Sequence, residues 1–173
     1  MTERNTHSKT RLMAMTAVLI ALTTIFTAYI FHIPVGVNGG YIHFGDAVIY
    51  LAAAMLPTPY AMLVGALGGG LADLLTAPMW IIPTMIIKML IVLPFTSKKN
   101  SLMNGRNAIA PIISFFISAT GYYIAEMILF GSETALIAAF SGSLIQSGGS
   151  AIFFYLAATA FDGVGIKRTI LQF

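Results

Sequence analysis

The sequence lacks cysteine and every common motif of nucleotide binding or hydrolysis. The absence of cysteine excludes disulfides, thiolate metal sites and cysteine nucleophiles. No Walker A loop, HExxH helix or GxSxG turn occurs, so the chain has neither a Walker ATP site nor the usual zinc or serine hydrolase signatures. Its three histidines, His7, His32 and His43, are scattered rather than placed beside a nucleophile. We therefore expect a protein that is not an enzyme and binds no metal or cofactor.

Charged residues are also scarce, whereas apolar residues are abundant. The 173 residues are 58% hydrophobic and 9% charged, with a mean hydropathy of +0.88. Such a chain has too few polar groups to cover a water-soluble globule, and its length allows one small domain. The composition predicts a multi-pass integral protein of the cell membrane, in a single domain over residues 1–173, with no role in nucleic-acid binding.

The apolar runs predict an all-α bundle of six transmembrane helices. A span needs about 20 helical residues, and fewer where neighbouring helices shelter it. The predicted helices are at about 12–32, 44–56, 60–75, 79–95, 108–130 and 135–161. Basic residues cluster before the first helix, around 98–106 and at 167–168. The positive-inside rule makes that side cytoplasmic, together with both termini.

Lys88 is the only basic residue inside an apolar run. A charge at that depth is costly and needs a partner. We predict that Lys88 reaches outward to Asp73, which lies at an unfavourable helix C-terminus. The pair would be either a purely structural salt bridge or part of a ligand site. Asp46 begins the second helix, where it could instead serve as an N-cap.

Further polar and aromatic residues map to the same outer level. They include two tyrosines and the only tryptophan, which could stack on a flat ring or simply form an interfacial belt. Gln146 is either a ligand contact or a hydrogen-bonding link between helices, and the glycine-rich loop after helix 1 is either a cover for a pocket or an ordinary connector. The candidate substrate-binding residues are Asn38, Tyr41, His43, Asp46, Asp73, Trp80, Lys88, Tyr122, Glu126 and Gln146.

Two helices carry small residues at packing intervals. Ala61, Gly65 and Gly69 in helix 3 predict close packing against helix 2. In helix 1, small residues at Ala14, Ala17 and Ala21 predict a second smooth face. That face would serve either a partner protein or the chain's own bundle.

Three segments resemble one transporter family. They are the alanine motif of helix 1, the run from Gly39 to Ala47, and the run from Gly68 to Leu75 with Lys88 beyond it. Together they resemble the substrate-binding S-components of energy-coupling factor (ECF) transporters, which are prokaryotic. The resemblance covers most of the chain and is strongest between Gly39 and Lys88.

The resemblance implies a vitamin-capturing subunit that docks on a transmembrane coupling protein carrying two ATPases. Those partners would use ATP, and Ala17 and Ala21 would meet the coupling protein. The one cation, several acids and several aromatics favour pyridoxine or hydroxymethylpyrimidine, with riboflavin or cobalamin as alternatives. An ion-coupled carrier, or a ligand-free regulatory partner, would be the competing functions.

Overall fold

The computed structural model describes residues 2–30, 32–34, 41–131 and 135–170, with side chains from residue 9 onward except those of 135, 138, 168 and 170. These residues are helical apart from short connections and one small hairpin. The helices are α1 (Thr2–Ala28), α2 (Gly45–Met55), α3 (Thr58–Thr76), α4 (Ile81–Leu90), α5 (Gly105–Phe130), α6 (Ala135–Gly163) and α7 (Ile166–Ile170). A 3-10 turn at Pro78–Trp80 leads into α4, and strands β1 (Ile33–Pro34) and β2 (Tyr41–Ile42) pair antiparallel.

Each of the six predicted helices has a counterpart, and α7 is an addition. Helix ends follow local chemistry: the Asn104 side chain caps α5 by accepting from the Asn107 amide at 3.2 Å. Gly131 ends α5 in the left-handed region with φ of 60°, which glycine adopts without a steric cost. The fourth predicted helix is shorter than expected, because turns replace the helix after Leu90.

Four of the helical segments are long and apolar enough to cross a membrane alone. They are Lys9–Ala28, Thr58–Thr76, Gly105–Phe130 and Ala139–Gly163. The segments Gly45–Met55 and Pro78–Leu90 are apolar but shorter, and 11 residues of helix reach only about 16 Å. The prediction of an all-α membrane protein is therefore supported, while crossing by six separate spans remains a prediction.

The short helix α2 is the centre of the bundle. Every residue in it is buried except Leu51, which is partly exposed. Around its C-terminal half, Tyr50, Phe95 and Phe154 form an aromatic cluster with ring centroids 5.0 to 6.0 Å apart. Neighbouring helices thus shield α2, which explains how a short segment carrying an acid can lie inside an apolar bundle.

Gly65 and Gly69 of α3 face α4 rather than α2, so the predicted pairing of these two residues with helix 2 was wrong. A methyl group on Gly65 would collide with the backbone carbonyl of Lys88, and one on Gly69 would lie 3.0 Å from the Lys88 side chain. Glycine at both positions lets α3 approach α4 closely. This close approach fixes where Lys88 lies in the bundle.

One end of the bundle, called here the basic end, is held together by Arg106, Asp162 and Lys167. Lys167 donates to the carbonyls of Ala54 and Ser97 at 2.8 and 2.7 Å. Arg106 donates to the carbonyls that follow α4. The basic clusters around 98–106 and 167 therefore lie at the same end, and the N-terminus of α2 points to the other.

Candidate functional site

The opposite end, called here the hairpin end, gathers the titratable residues singled out in the sequence. It is formed by the β1–β2 hairpin, the N-terminus of α2, the C-terminus of α3, and parts of α4, α5 and α6. The hairpin pairs Ile33 with Ile42 and Pro34 with Tyr41. This places Tyr41 and His43 directly before α2.

Lys88 of α4 forms an ion pair with Asp46 of α2. The Lys88 Nζ lies 2.6 Å from Asp46 Oδ1 and 2.9 Å from Oδ2, and both side chains are 0% exposed. The prediction that Lys88 pairs with Asp73 is therefore wrong, because its partner is Asp46. The N-cap interpretation of Asp46 is wrong as well, because Phe44 occupies the N-cap position and Asp46 is the second residue of the helix.

Gln146 of α6 completes this buried pair. Its side-chain nitrogen donates to Asp46 Oδ2 at 3.0 Å across 100 residues of sequence. Taking two charges out of water costs several kcal/mol per ion, which is recovered only when geometry and added hydrogen bonds are good. The Asp46–Lys88–Gln146 network meets that condition and ties α2, α4 and α6 together.

Asp73, near the C-terminus of α3, lies close to this network but has a different partner. Its carboxylate accepts a short hydrogen bond from the Tyr41 hydroxyl of the hairpin. The second carboxylate oxygen, Oδ2, is buried and accepts no hydrogen bond from the described residues. The Thr84 hydroxyl lies near the Asp73 carboxylate. It also lies 3.3 Å from the Tyr122 hydroxyl, which is within hydrogen-bond distance. Tyr41 therefore links the hairpin to α3, and one acceptor is left over.

The two histidines of this end have structural roles. His43 is 3% exposed, and its Nδ1 accepts from the Gly45 amide at 3.0 Å. Burial, followed by the charge of Lys88, lowers the pKa of His43 to about 3, so it is neutral at physiological pH. His32 stacks on Tyr41 with centroids 4.0 Å apart, which supports the tyrosine from the α1 side.

An aromatic cluster borders the charged residues. The Trp80 ring lies 5.9 Å from Tyr122 and 5.7 Å from Phe130, and Tyr41 packs against the same cluster. The Lys88 ammonium lies 5.5 Å from the Tyr122 ring centroid, within cation–π range. Charge and aromatic surface are therefore adjacent, as recognition of a polar, flat molecule requires.

The predicted site residues divide into three groups. Tyr41, His43, Asp46, Asp73, Trp80, Lys88, Tyr122 and Gln146 come together at the hairpin end. Glu126 is half-buried on α5, one turn beyond Tyr122. Asn38 lies outside the described residues.

Three contributors were missed by the sequence analysis. Phe130 completes the aromatic cluster, Thr84 lies beside Tyr122, and His32 stacks on Tyr41. Thr84 could have been found, because it precedes Lys88 by one helical turn and so shares its face. Nothing in the sequence marks Phe130 or His32, since their contacts depend on how the hairpin and α5 pack.

The alanine face of α1 is separate from this site. Ala14, Ala17 and Ala21 are all exposed, and so are the neighbouring Val18 and Leu22. The small-residue face is therefore not used by the chain's own described helices. It remains available to another helix.

Comparison with known proteins identifies the family of this chain. Residues 7–162 match the family described as ECF-type riboflavin transporter, S component. A protein from Pyrococcus woesei, described as an uncharacterized protein in the gap 3' region, is 27% identical over 123 residues, covering 70% of this chain and 82% of the relative. Because the match to the family extends over most of the chain, this protein belongs to the ECF-type S-component family: it is a membrane-embedded vitamin-transport subunit and not an enzyme.

Proposed function

We propose that the hairpin end is the vitamin-binding site and that the vitamin is a flat nitrogen heterocycle. The observation that carries the proposal is the adjacency of the buried Asp46–Lys88–Gln146 network, the Asp73–Tyr41 contact and the Trp80 cluster. A membrane protein keeps buried charges mainly where function requires them. Aromatic rings beside hydrogen-bonding groups suit a ring with polar substituents.

A small heterocycle of the pyridoxine or hydroxymethylpyrimidine type fits this chemistry best. The charged groups lie close together, and the aromatic cluster beside them is formed by few rings, so the two together match a ligand with one small ring. Riboflavin is the second candidate, because the family's description names it. Cobalamin is a weaker one, since its bulk would demand displacement of the hairpin and several rings.

Transport would require the usual partners of such subunits, a transmembrane coupling protein and two ATPases. The chain has no phosphate-binding loop of its own. The exposed Ala14, Ala17 and Ala21 provide a surface on which a partner helix can approach closely. Binding and energy supply would then reside in different polypeptides. In this arrangement the basic end faces the cytoplasm.

Proteoliposomes test this division of roles. The purified chain alone should bind radiolabelled vitamin without accumulating it, whereas the complex with coupling protein and ATPases should accumulate it when ATP is supplied on the ATPase side. Accumulation by the isolated chain under a proton or sodium gradient would establish an ion-coupled carrier instead. Absence of any vitamin binding, with partners still bound, would favour a regulatory subunit.

A further inference from the structure

Among the described buried residues of the hairpin end, carboxylates outnumber lysines and arginines by two to one. Lys88 is the only lysine or arginine between residues 12 and 97, and none occurs between 107 and 166. Lys88 is paired with Asp46, and the two charges cancel. Asp73 is a second carboxylate, 2% exposed, and no lysine or arginine among the described residues forms an ion pair with it. One buried carboxylate is therefore left without a lysine or arginine partner among the described residues.

The groups that contact Asp73 do not neutralise it. Tyr41 donates a hydrogen bond from a neutral phenol, and Thr84 and Tyr122 carry only hydroxyl groups. Within the described part of the chain, the carboxylate oxygen Oδ2 is buried and accepts no hydrogen bond. It is an acceptor inside the proposed site that a ligand could use.

The remaining titratable groups at this end offer at most one alternative cation. His43 is buried and accepts a hydrogen bond at Nδ1, which fits a neutral ring. Lys88 is occupied by Asp46. His32 stacks on Tyr41, and its Nδ1 lies 3.0 Å from the Thr27 carbonyl. His32 is therefore the one remaining basic side chain at this end among the described residues, and the experiment below must separate it from the ligand.

We infer that the vitamin itself supplies the missing positive charge: it binds as a protonated nitrogen heterocycle whose ring N–H donates to Asp73. This inference rests on the proposed function of the same site. A charge-assisted hydrogen bond to a buried carboxylate is among the stronger polar contacts. A metal ion is a poor substitute, because the described residues contain no group of three His, Asp or Glu side chains able to hold one.

The chemistry separates the candidate vitamins. The ring nitrogen of a pyridine or an aminopyrimidine accepts a proton readily, whereas the flavin ring of riboflavin is not basic near neutral pH. A site with an uncompensated carboxylate should therefore prefer hydroxymethylpyrimidine or pyridoxine over riboflavin. Asp73 would be the residue that binds the protonated ring nitrogen of the ligand. The Asp46–Lys88 pair would hold α2 and α4 in place around it.

Calorimetry on the purified full chain in nanodiscs tests this inference. Hydroxymethylpyrimidine, pyridoxine and riboflavin are titrated at pH 8 in two buffers of different ionisation enthalpy, which reports the protons taken up on binding. At a pH where the free ligand is mostly unprotonated, the preferred ligand should take up about one proton. Because this measurement uses the wild-type protein, its result does not depend on whether a variant folds.

Two variants locate the charge. Asp73→Asn keeps the shape but removes the negative charge, and it should weaken binding of the preferred ligand by roughly tenfold or more and abolish proton uptake. His32→Gln tests the alternative carrier of the proton. It can lower affinity, because His32 stacks on Tyr41, but the number of protons taken up per bound ligand should stay unchanged. Loss of proton uptake in the His32 variant would place the proton on the protein and overturn the inference.

Other results would overturn the inference while leaving the proposed function intact. They are tight riboflavin binding without proton uptake, unchanged affinity in Asp73→Asn, and binding that depends on sodium ions. Failure of all three probes, with the coupling protein still bound, would reject the substrate class stated here. Failure of all three probes together with loss of the coupling protein would reject the proposed function itself.

Discussion

Asp46 and Lys88, 42 residues apart in sequence, form a fully buried ion pair in which the closest charged atoms are 2.6 Å apart. Neither side chain is exposed, and Gln146 binds the same carboxylate. The pair joins the central short helix to α4 beside the aromatic cluster. Its integrity therefore bears on both the stability of the bundle and the shape of the site.

Removing one member of this pair should destabilise the protein strongly. Lys88→Met or Asp46→Asn alone leaves an uncompensated buried charge, and we expect a loss of about 3 to 5 kcal/mol. The double variant should lose less than the sum of the two, because no unpaired charge remains. Thermal unfolding in detergent provides the comparison. Strictly additive losses would mean that the two charges do not interact.

The glycines of α3 should be intolerant of even one added methyl group. Gly65→Ala would press on the Lys88 backbone carbonyl, and overpacking of this kind costs about 1 to 3 kcal/mol. Gly142→Ala in α6 is the matched control, because nothing lies within 4 Å of its added carbon. The control should be neutral or slightly stabilised. Equal unfolding temperatures for the two variants would contradict the close approach of α3 and α4.

Larger side chains on the alanine face of α1 should weaken assembly with the coupling protein without weakening vitamin binding. Ala17→Leu or Ala21→Leu should reduce recovery of the coupling protein in pull-downs while leaving vitamin affinity within about twofold, since both residues are exposed and lie on α1 away from the site. Ala160→Leu, at an exposed position of α6, controls for added bulk. A variant that assembles normally but loses the vitamin would show that the face was wrongly assigned.

At the basic end, Asp162 should be important for stability rather than for binding. Its carboxylate accepts from the Ser101 hydroxyl at 2.5 Å and from the amides of Leu102 and Met103 at 2.7 and 2.8 Å. Asp162→Ala would leave these donors without their acceptor, at a cost of about 1 to 3 kcal/mol. The melting temperature should fall while the affinity of the folded protein is retained. A change in affinity without a change in stability would be inconsistent with this role.

The sequence was sufficient to predict the helices and to name most of the side chains that meet at the hairpin end, whereas their role in binding stays a prediction. Apolar run length predicted each helix, and the cost of charge in a membrane identified Lys88 and the acids as unusual. Periodicity could not reveal which acid pairs with Lys88, because that depends on where α3 holds α4 relative to α2. Gly65 and Gly69 set how closely α4 packs on α3, and their surface was predicted to face α2.

Contacts made by the hairpin were the least predictable part. The stacking of His32 on Tyr41 and the hydrogen bond from Tyr41 to Asp73 depend on the pairing of two-residue strands. Such short strands carry no periodic signal. In the same way, the roles of Lys167 and Asp162 follow from the return of α6 and α7 to the connection between α4 and α5, which local sequence does not specify.

The central claim is that the hairpin end holds a vitamin, and native mass spectrometry tests it most directly. Gently purified wild-type protein should carry a small molecule whose mass matches a nitrogen heterocycle. Asp73→Asn should lose it, whereas Asp162→Ala, altered at the opposite end, should retain it while folded. A bound molecule retained equally by the Asp73 variant, or wild-type protein that carries none and takes up none of the offered vitamins, would contradict the account.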